Sequence, residues 1–284
     1  MRTIAVAALL LALPLAAEEP TWERLAPAGA EFHNPRWSSD GSAVFVEQYS
    51  EEAGVEIQAL SGVGNDSKLL CSLSEGVACL DVFPDGRRVL VRTTEDRLAT
   101  LDIENGRTEA ISVPPARLGF GAVSPDANSM AWMSGNLGSA TLCVARLDGT
   151  QTKELAQLKL PTGAVSWSPD GKRLLYVTVP DDEPATGRLH VVSVDDGGET
   201  TILLGEIVPN DAAWSPDGHW LAFVGSKGRD RQLYLARPDG ADPHPFVIED
   251  AKPVCLAWSP DSRSILAIVT LRSGVWAARR YAVP

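Results

Sequence analysis

Trp214-Ser215-Pro216-Asp217-Gly218, followed by the apolar run Leu221-Ala222-Phe223-Val224, decides how this chain is read. The stretch recurs as Trp167-Ser168-Pro169-Asp170-Gly171 ahead of Leu174-Leu175-Tyr176-Val177, and as Trp258-Ser259-Pro260-Asp261-Ser262 ahead of Ile265-Leu266-Ala267-Ile268. Looser copies stand upstream: Trp37-Ser38-Ser39-Asp40-Gly41, Val82-Phe83-Pro84-Asp85-Gly86 and Val123-Ser124-Pro125-Asp126-Ala127. First positions at 37, 82, 123, 167, 214 and 258 give intervals of 45, 41, 44, 47 and 44 residues.

Each copy reads as strand, tight turn, strand. In Ser-Pro-Asp-Gly, proline presets φ at the second turn position and glycine suits the fourth, as in a type I turn. The Val/Ile/Leu/aromatic run that follows suits a buried strand. Repeats of about 40–50 residues with several short strands each read as propeller blades. One blade cannot bury both of its faces, so neighbours pack on it and a ring closes. The expectation is an all-β, six-bladed β-propeller. Asn105-Gly106, Asp148-Gly149 and Asp239-Gly240 add hairpin signals between strands. The last blade supplies three strands, about Pro253–Trp258, Ser264–Thr270 and Gly274–Val283. Trp22-Glu23-Arg24-Leu25-Ala26-Pro27 reads as an outer strand, so the N-terminal strand is expected to close the last blade and protect its edge.

The copies resemble the WD40-like PD40 repeat of TolB-type β-propellers, periplasmic parts of the Tol envelope system; the Trp-Ser-Pro-Asp motifs at 167, 214 and 258 carry the likeness. No Trp-Asp dipeptide occurs, so ordinary WD40 repeats fit less well. The resemblance covers residues 21–284. It implies a binding role toward an envelope protein, such as a peptidoglycan-associated lipoprotein, or toward a flexible peptide entering the channel. The same repeat also builds the propellers of prolyl-oligopeptidase relatives and some polysaccharide lyases. TolB's α/β domain ahead of the propeller is not expected, because the repeats take up nearly the whole chain.

Arg2 followed by the apolar run from Ile4 to Leu13 and the small residues of Leu15-Ala16-Ala17 reads as a secretory signal cleaved after Ala17. The expected domains are therefore a signal peptide at 1–17 and one propeller at 18–284, periplasmic or secreted. The run is too short for a membrane span, and membrane insertion is not expected. The formal charge of −12 becomes −13 without Arg2, from 24 basic and 37 acidic residues. That balance argues against nucleic acid, which needs a basic face. Cys71, Cys79, Cys143 and Cys255 allow three pairings, and a local Cys71–Cys79 bond is one expectation. The other is four small buried hydrophobes.

Loops leading into the innermost strands form one mouth of a propeller channel. The residues there are His33 and Asn34, Gly76, Arg117, Thr162, Asn210 with Asp211, and Lys252. Polar groups converging on a concavity are the default binding site; the alternative is solvated loop. Trp220 stands where the other copies carry Ala43, Arg88, Ser129, Arg173 and Ser264, which marks a contact residue or local packing. The six motif aspartates are expected to bond local backbone rather than a metal. The motif tryptophans are expected between blades. Asp181-Asp182-Glu183 has the carboxylates for Ca²⁺ without the EF-hand spacing, so a solvated acidic loop is preferred and no cofactor is expected. Ser50-Glu51-Glu52 reads the same way. There is no Gly-x-Ser-x-Gly elbow, His-Glu-x-x-His helix or phosphate loop. The leading expectation is a monomeric, non-catalytic propeller binding an envelope protein or peptide. The second is a sugar- or lactone-directed propeller enzyme with a channel metal and His33 and Asp211 as acid and base.

Overall fold

Each repeat folds into one four-stranded antiparallel sheet, and six such sheets are arranged as the blades of a propeller. The computed structural model describes residues 22–52, 54–61, 67–73, 77–117, 120–136, 138–159, 165–178, 187–246 and 248–283. The expected signal peptide, Gly76, Thr162 and Asp181-Asp182-Glu183 lie outside the described residues.

The chain opens with β1 (Trp22–Leu25). Blade one is then β2 (Ala30–Trp37), β3 (Ala43–Ser50), β4 (Gly54–Ser61) and β5 (Ser67–Leu73). Blade two is β6 (Ala78–Val82), β7 (Arg88–Arg92), β8 (Leu98–Asp102) and β9 (Thr108–Ala110). Blade three is β10 (Gly121–Val123), β11 (Ser129–Asn136), β12 (Ser139–Arg146) and β13 (Lys153–Leu158). Blade four is β14 (Ser166–Trp167), β15 (Arg173–Thr178), β16 (Arg188–Ser193) and β17 (Glu199–Leu203). Blade five is β18 (Val208–Trp214), β19 (Leu221–Lys227), β20 (Asp230–Ala236) and β21 (His244–Phe246). Blade six is β22 (Ala251–Trp258), β23 (Ser264–Leu271) and β24 (Trp276–Ala282), completed by β1. β1 pairs antiparallel with β24 from Trp22↔Arg280 to Leu25↔Ala277, and Glu23 meets Arg279 across the pair. The expected closure is the one observed.

The motif turns behave as their chemistry requires. In all six copies the fifth-position amide donates to the carbonyl three residues back, at 2.8–2.9 Å. The fifth residue has φ between 55° and 77°, at Gly41, Gly86, Gly171 and Gly218 but also at Ala127 and Ser262. This is a type I turn followed by a left-handed residue, a favoured hairpin link. Each motif aspartate accepts the amide two residues on at 2.9–3.1 Å. In five copies it also accepts the motif serine hydroxyl at 2.6–2.7 Å. For Asp40 these bonds hold the carboxyl at about 2, well below the usual range.

The core is not central. It is divided into six apolar clusters, one at each blade-to-blade seam. Met133 and Leu142 of blade three, for example, share a cluster with Leu174 and Tyr176 of blade four. Each sheet is covered on both faces, so the second strands β7, β15 and β23 read as nearly continuous apolar runs. All four cysteines are free thiols. The Cys71–Cys79 bond does not form because β5 is the outermost strand of its blade and β6 the innermost of the next. Three strand spacings separate those radii by roughly 14 Å, about twice the Cα reach of a disulfide.

Candidate functional site

The inner strands carry a recurrent irregularity. β2, β6, β18 and β22 each have a register shift against the next strand, at His33/Arg36, Cys79/Asp81, Pro209/Asp211 and Pro253/Cys255. A bulge re-aims side chains locally. Just past it stand Arg36, Asp81 and Asp211 and, in β22, Cys255. Arg36 and Asp81 pair across the seam of blades one and two, Nε to Oδ1 at 2.6 Å. Asp81 is buried, and its carboxylate also accepts the Val82 amide at 2.9 Å and the Val123 amide at 2.8 Å. Burial works against the Arg36 charge, but Asp81 and then Asp211 outweigh it and hold the guanidinium above its ordinary pKa.

Among the described residues, polar links of this kind cross five of the six seams near the axis. Arg36 joins blades one and two, and Asp81 joins two to three through Val123. The Trp167 ring N–H donates to Ala122 O across blades three and four, at 3.2 Å. Ser166 Oγ accepts the Trp214 amide between blades four and five. Asp211 accepts the Leu256 amide at 3.0 Å between five and six, where Trp258 also donates to Ala213 O. Trp167 and Trp258 thus bridge blades as expected. The buried Trp37 ring N–H lacks such a partner among the described residues.

These strands enclose an axial cavity of about 410 Å³. All six blades line it, and Pro84, Pro125, Pro216 and Pro260 of the motif turns form its rim. Its lining reaches inward to Arg36, Asp81 and Asp211 and stops there. The cavity therefore opens on the face of the motif turns and ends on a charged crossbar.

Of the described channel-mouth candidates, Asp211 alone lines this cavity, beside the motif tryptophans Trp37, Trp167, Trp214 and Trp258. His33 lies against Tyr49 and Trp276, with ring centroids 5.0 and 4.9 Å away, and its Nε2 is 3.2 Å from Glu31. Asn34 has a left-handed backbone and donates from Nδ2 to the buried Glu47 at 2.8 Å. Arg117 is exposed, and its carbonyl lies 3.4 Å from the Arg92 guanidinium. Asn210 is exposed within β18. Lys252 lines a separate cleft between blades five and six. Trp220 is half-buried, with the Arg237 guanidinium 3.9 Å above its ring and His244 at its edge.

Two groupings escaped sequence reading. Glu47 accepts from Asn34 and from the Tyr49 hydroxyl at 2.8 Å, and burial pushes its carboxyl up despite these bonds. On blade four, Thr178 Oγ1 meets His190 Nε2 at 2.8 Å, and His190 Nδ1 meets Glu199 Oε1 at 3.0 Å. Tyr176 donates to the other Glu199 oxygen at 2.6 Å and stacks on His190. Hydroxyl, imidazole and carboxylate are in relay order, yet the chain runs across one sheet and does not line the axial cavity. The available signal was the period-two placement of Tyr176 and Thr178, Arg188 and His190, and Glu199 and Thr201. Among the described residues, no three His, Cys, Asp or Glu side chains come together to hold a metal ion.

The family described as the TolB beta propeller domain matches residues 98–278. An uncharacterized peptidase, YuxL of Bacillus subtilis (strain 168), is 32% identical over 117 residues, covering 38% of this chain and 17% of that protein. The Tol-Pal system protein TolB of Hahella chejuensis is 39% identical over 59 residues, 21% of this chain and 13% of that protein. The matches thus span less than a fifth of either relative's length. The crystal structure of TolB from Acinetobacter baumannii has a TM-score of 0.64 at 15% identity, covering 88% of this chain and 63% of that one.

Proposed function

Because the chain belongs to the TolB β-propeller domain family, we propose that it is an exported, non-catalytic propeller that receives a segment of an envelope protein in its axial cavity. The carrying observation is that cavity: an open concavity to which all six blades contribute, rimmed by rigid prolines and ending on Arg36, Asp81 and Asp211. A rim of motif turns is preorganised, which limits the ordering cost of binding. The crossbar offers charge to hydrogen-bonding groups on an entering loop. Export is supported by the Arg2-to-Ala17 segment and by the kinship with TolB. The enzyme reading loses support because the Asp211 carboxylate is occupied by the Leu256 amide and His33 is packed between Tyr49 and Trp276.

The test places a photo-crosslinking residue at Ser39, exposed on the cavity rim, and at Thr108, exposed on an outer strand. Each protein is incubated with envelope extract and irradiated. A discrete protein adduct from position 39 and none from position 108 is the expected result. Equal labelling from both positions, or none from the rim, would remove the axial cavity as the binding site.

A further inference from the structure

A second concavity lies at the other end of the blades. It is a cleft of about 540 Å³ bounded by the β19–β20 turn, the approach to β22 and the β23–β24 turn. Antiparallel strands alternate in direction, so all three connections sit opposite the motif turns. Four cations line it: Arg229, Arg231, Lys252 and Arg272. Only Arg272 is neutralised, by Asp250 at 2.9 Å. The other three form no ion pair among the described residues. With Asp230 and Asp250 as the lining acids, four positive and two negative groups leave +2 in a chain whose formal charge is −12. Like charges held together without partners repel one another, and an anionic ligand relieves that repulsion.

The backbone points to the kind of anion. β21 pairs with β20 only at Leu233, Tyr234 and Leu235. Beyond that, Gln232 Oε1 accepts the Ile248 amide. No described strand pairs with Asp230, Arg231 or Gln232 on the side away from β19. A short unpaired strand edge beside cationic side chains is suited to an added extended strand. Buried Ile248 and half-buried Leu271 give the cleft an apolar floor.

We infer that this cleft between blades five and six binds an extended acidic peptide segment, whose carboxylates meet Arg231 and Lys252 while its backbone adds to the free edge of β20. The site stands apart from the axial cavity and does not depend on it. Nucleic acid is disfavoured because the net negative charge of the whole chain repels a long polyanion.

The experiment measures fluorescence anisotropy of a labelled hexapeptide of alternating Glu and Val, against the same peptide with Gln for Glu, using the full chain. Binding of the Glu peptide should weaken with salt, and Arg231→Glu with Lys252→Glu should weaken it at least about tenfold. Thermal melts confirm that the reversed protein is folded; Lys252→Gln alone, a mild surface change, should still weaken binding measurably. Ser39→Trp, which obstructs the axial rim, should leave binding as it is. Equal binding of the Gln peptide, or indifference to charge reversal, overturns the proposal. So does competition by inorganic phosphate at equal concentration, which would make this a small-anion site. Loss of binding in Ser39→Trp overturns it too, by moving the peptide to the axis.

Discussion

Asp81→Ala tests how much the axial crossbar contributes to the fold. The substitution removes the carboxylate that pairs with Arg36 and leaves the Val82 and Val123 amides without this acceptor. Removing one member of a buried ion pair costs about 3–5 kcal/mol. The Arg36 side chain is 26% exposed, so water softens its loss and the lower end, about 3 kcal/mol, applies. The orphaned Val123 amide adds about 1 kcal/mol. At ~2–4 °C per kcal/mol, the melting temperature should fall by roughly 8–16 °C. The double change Arg36→Met with Asp81→Leu removes the stranded charge as well, so its cost should drop to about 1–2 kcal/mol, mostly the Val123 amide. Urea unfolding of wild type, Arg36→Met, Asp81→Leu and the double variant gives the coupling directly. A cost below about 1 kcal/mol for Asp81→Ala, or a double variant as unstable as the sum of the singles, would refute the reasoning.

Removing residues 18–28 strips β1 from β24 and should lower stability by about 3–5 kcal/mol, at about 1 kcal/mol per lost backbone hydrogen bond across four paired residues; calorimetry of the truncated chain checks it, and an unchanged melt would mean the ring does not rely on this strand. Burial lowers the His190 pKa below its ordinary 6.5 against the pull of Glu199. The folded protein therefore binds fewer protons there than the unfolded chain. Stability from this group is full above the ordinary value and is lost as pH falls below it, by at most about 1.4 kcal/mol per pH unit. His190→Gln should flatten the melting temperature between pH 7.5 and 5.5, and equal slopes in both proteins would exclude His190 as the titrating group.

The architecture was legible because the turn chemistry repeats. Ser-Pro-Asp-Gly fixes a local geometry from a few adjacent residues, and six copies at similar spacing leave little choice of fold. The closure by β1 followed from counting strands in the last blade. The axial chemistry was hidden for the opposite reason. Arg36 and Asp81 are 45 residues apart, and neither falls inside a turn motif. A bulge shifts the facing of every residue beyond it, so strict alternation cannot tell which side chains of β2, β6, β18 and β22 reach the axis. His190 and Glu199 meet across a strand pair rather than along one. The cleft of Arg229, Arg231, Lys252 and Arg272 draws on three connections, each with an ordinary surface charge when read alone.

The pairing of β1 with β24 sets an order in time. The first described strand to leave the ribosome has its partner in the last, with Trp22 opposite Arg280. Inner blades can assemble from neighbours in sequence as they emerge, but the ring stays an open arc until β24 has been made. During that interval the free edge of β24 and the first seam are exposed together, and a contact this distant in sequence is slow to form. The vulnerable species on the folding route is thus a late one: five finished blades and a sixth awaiting four residues made at the beginning.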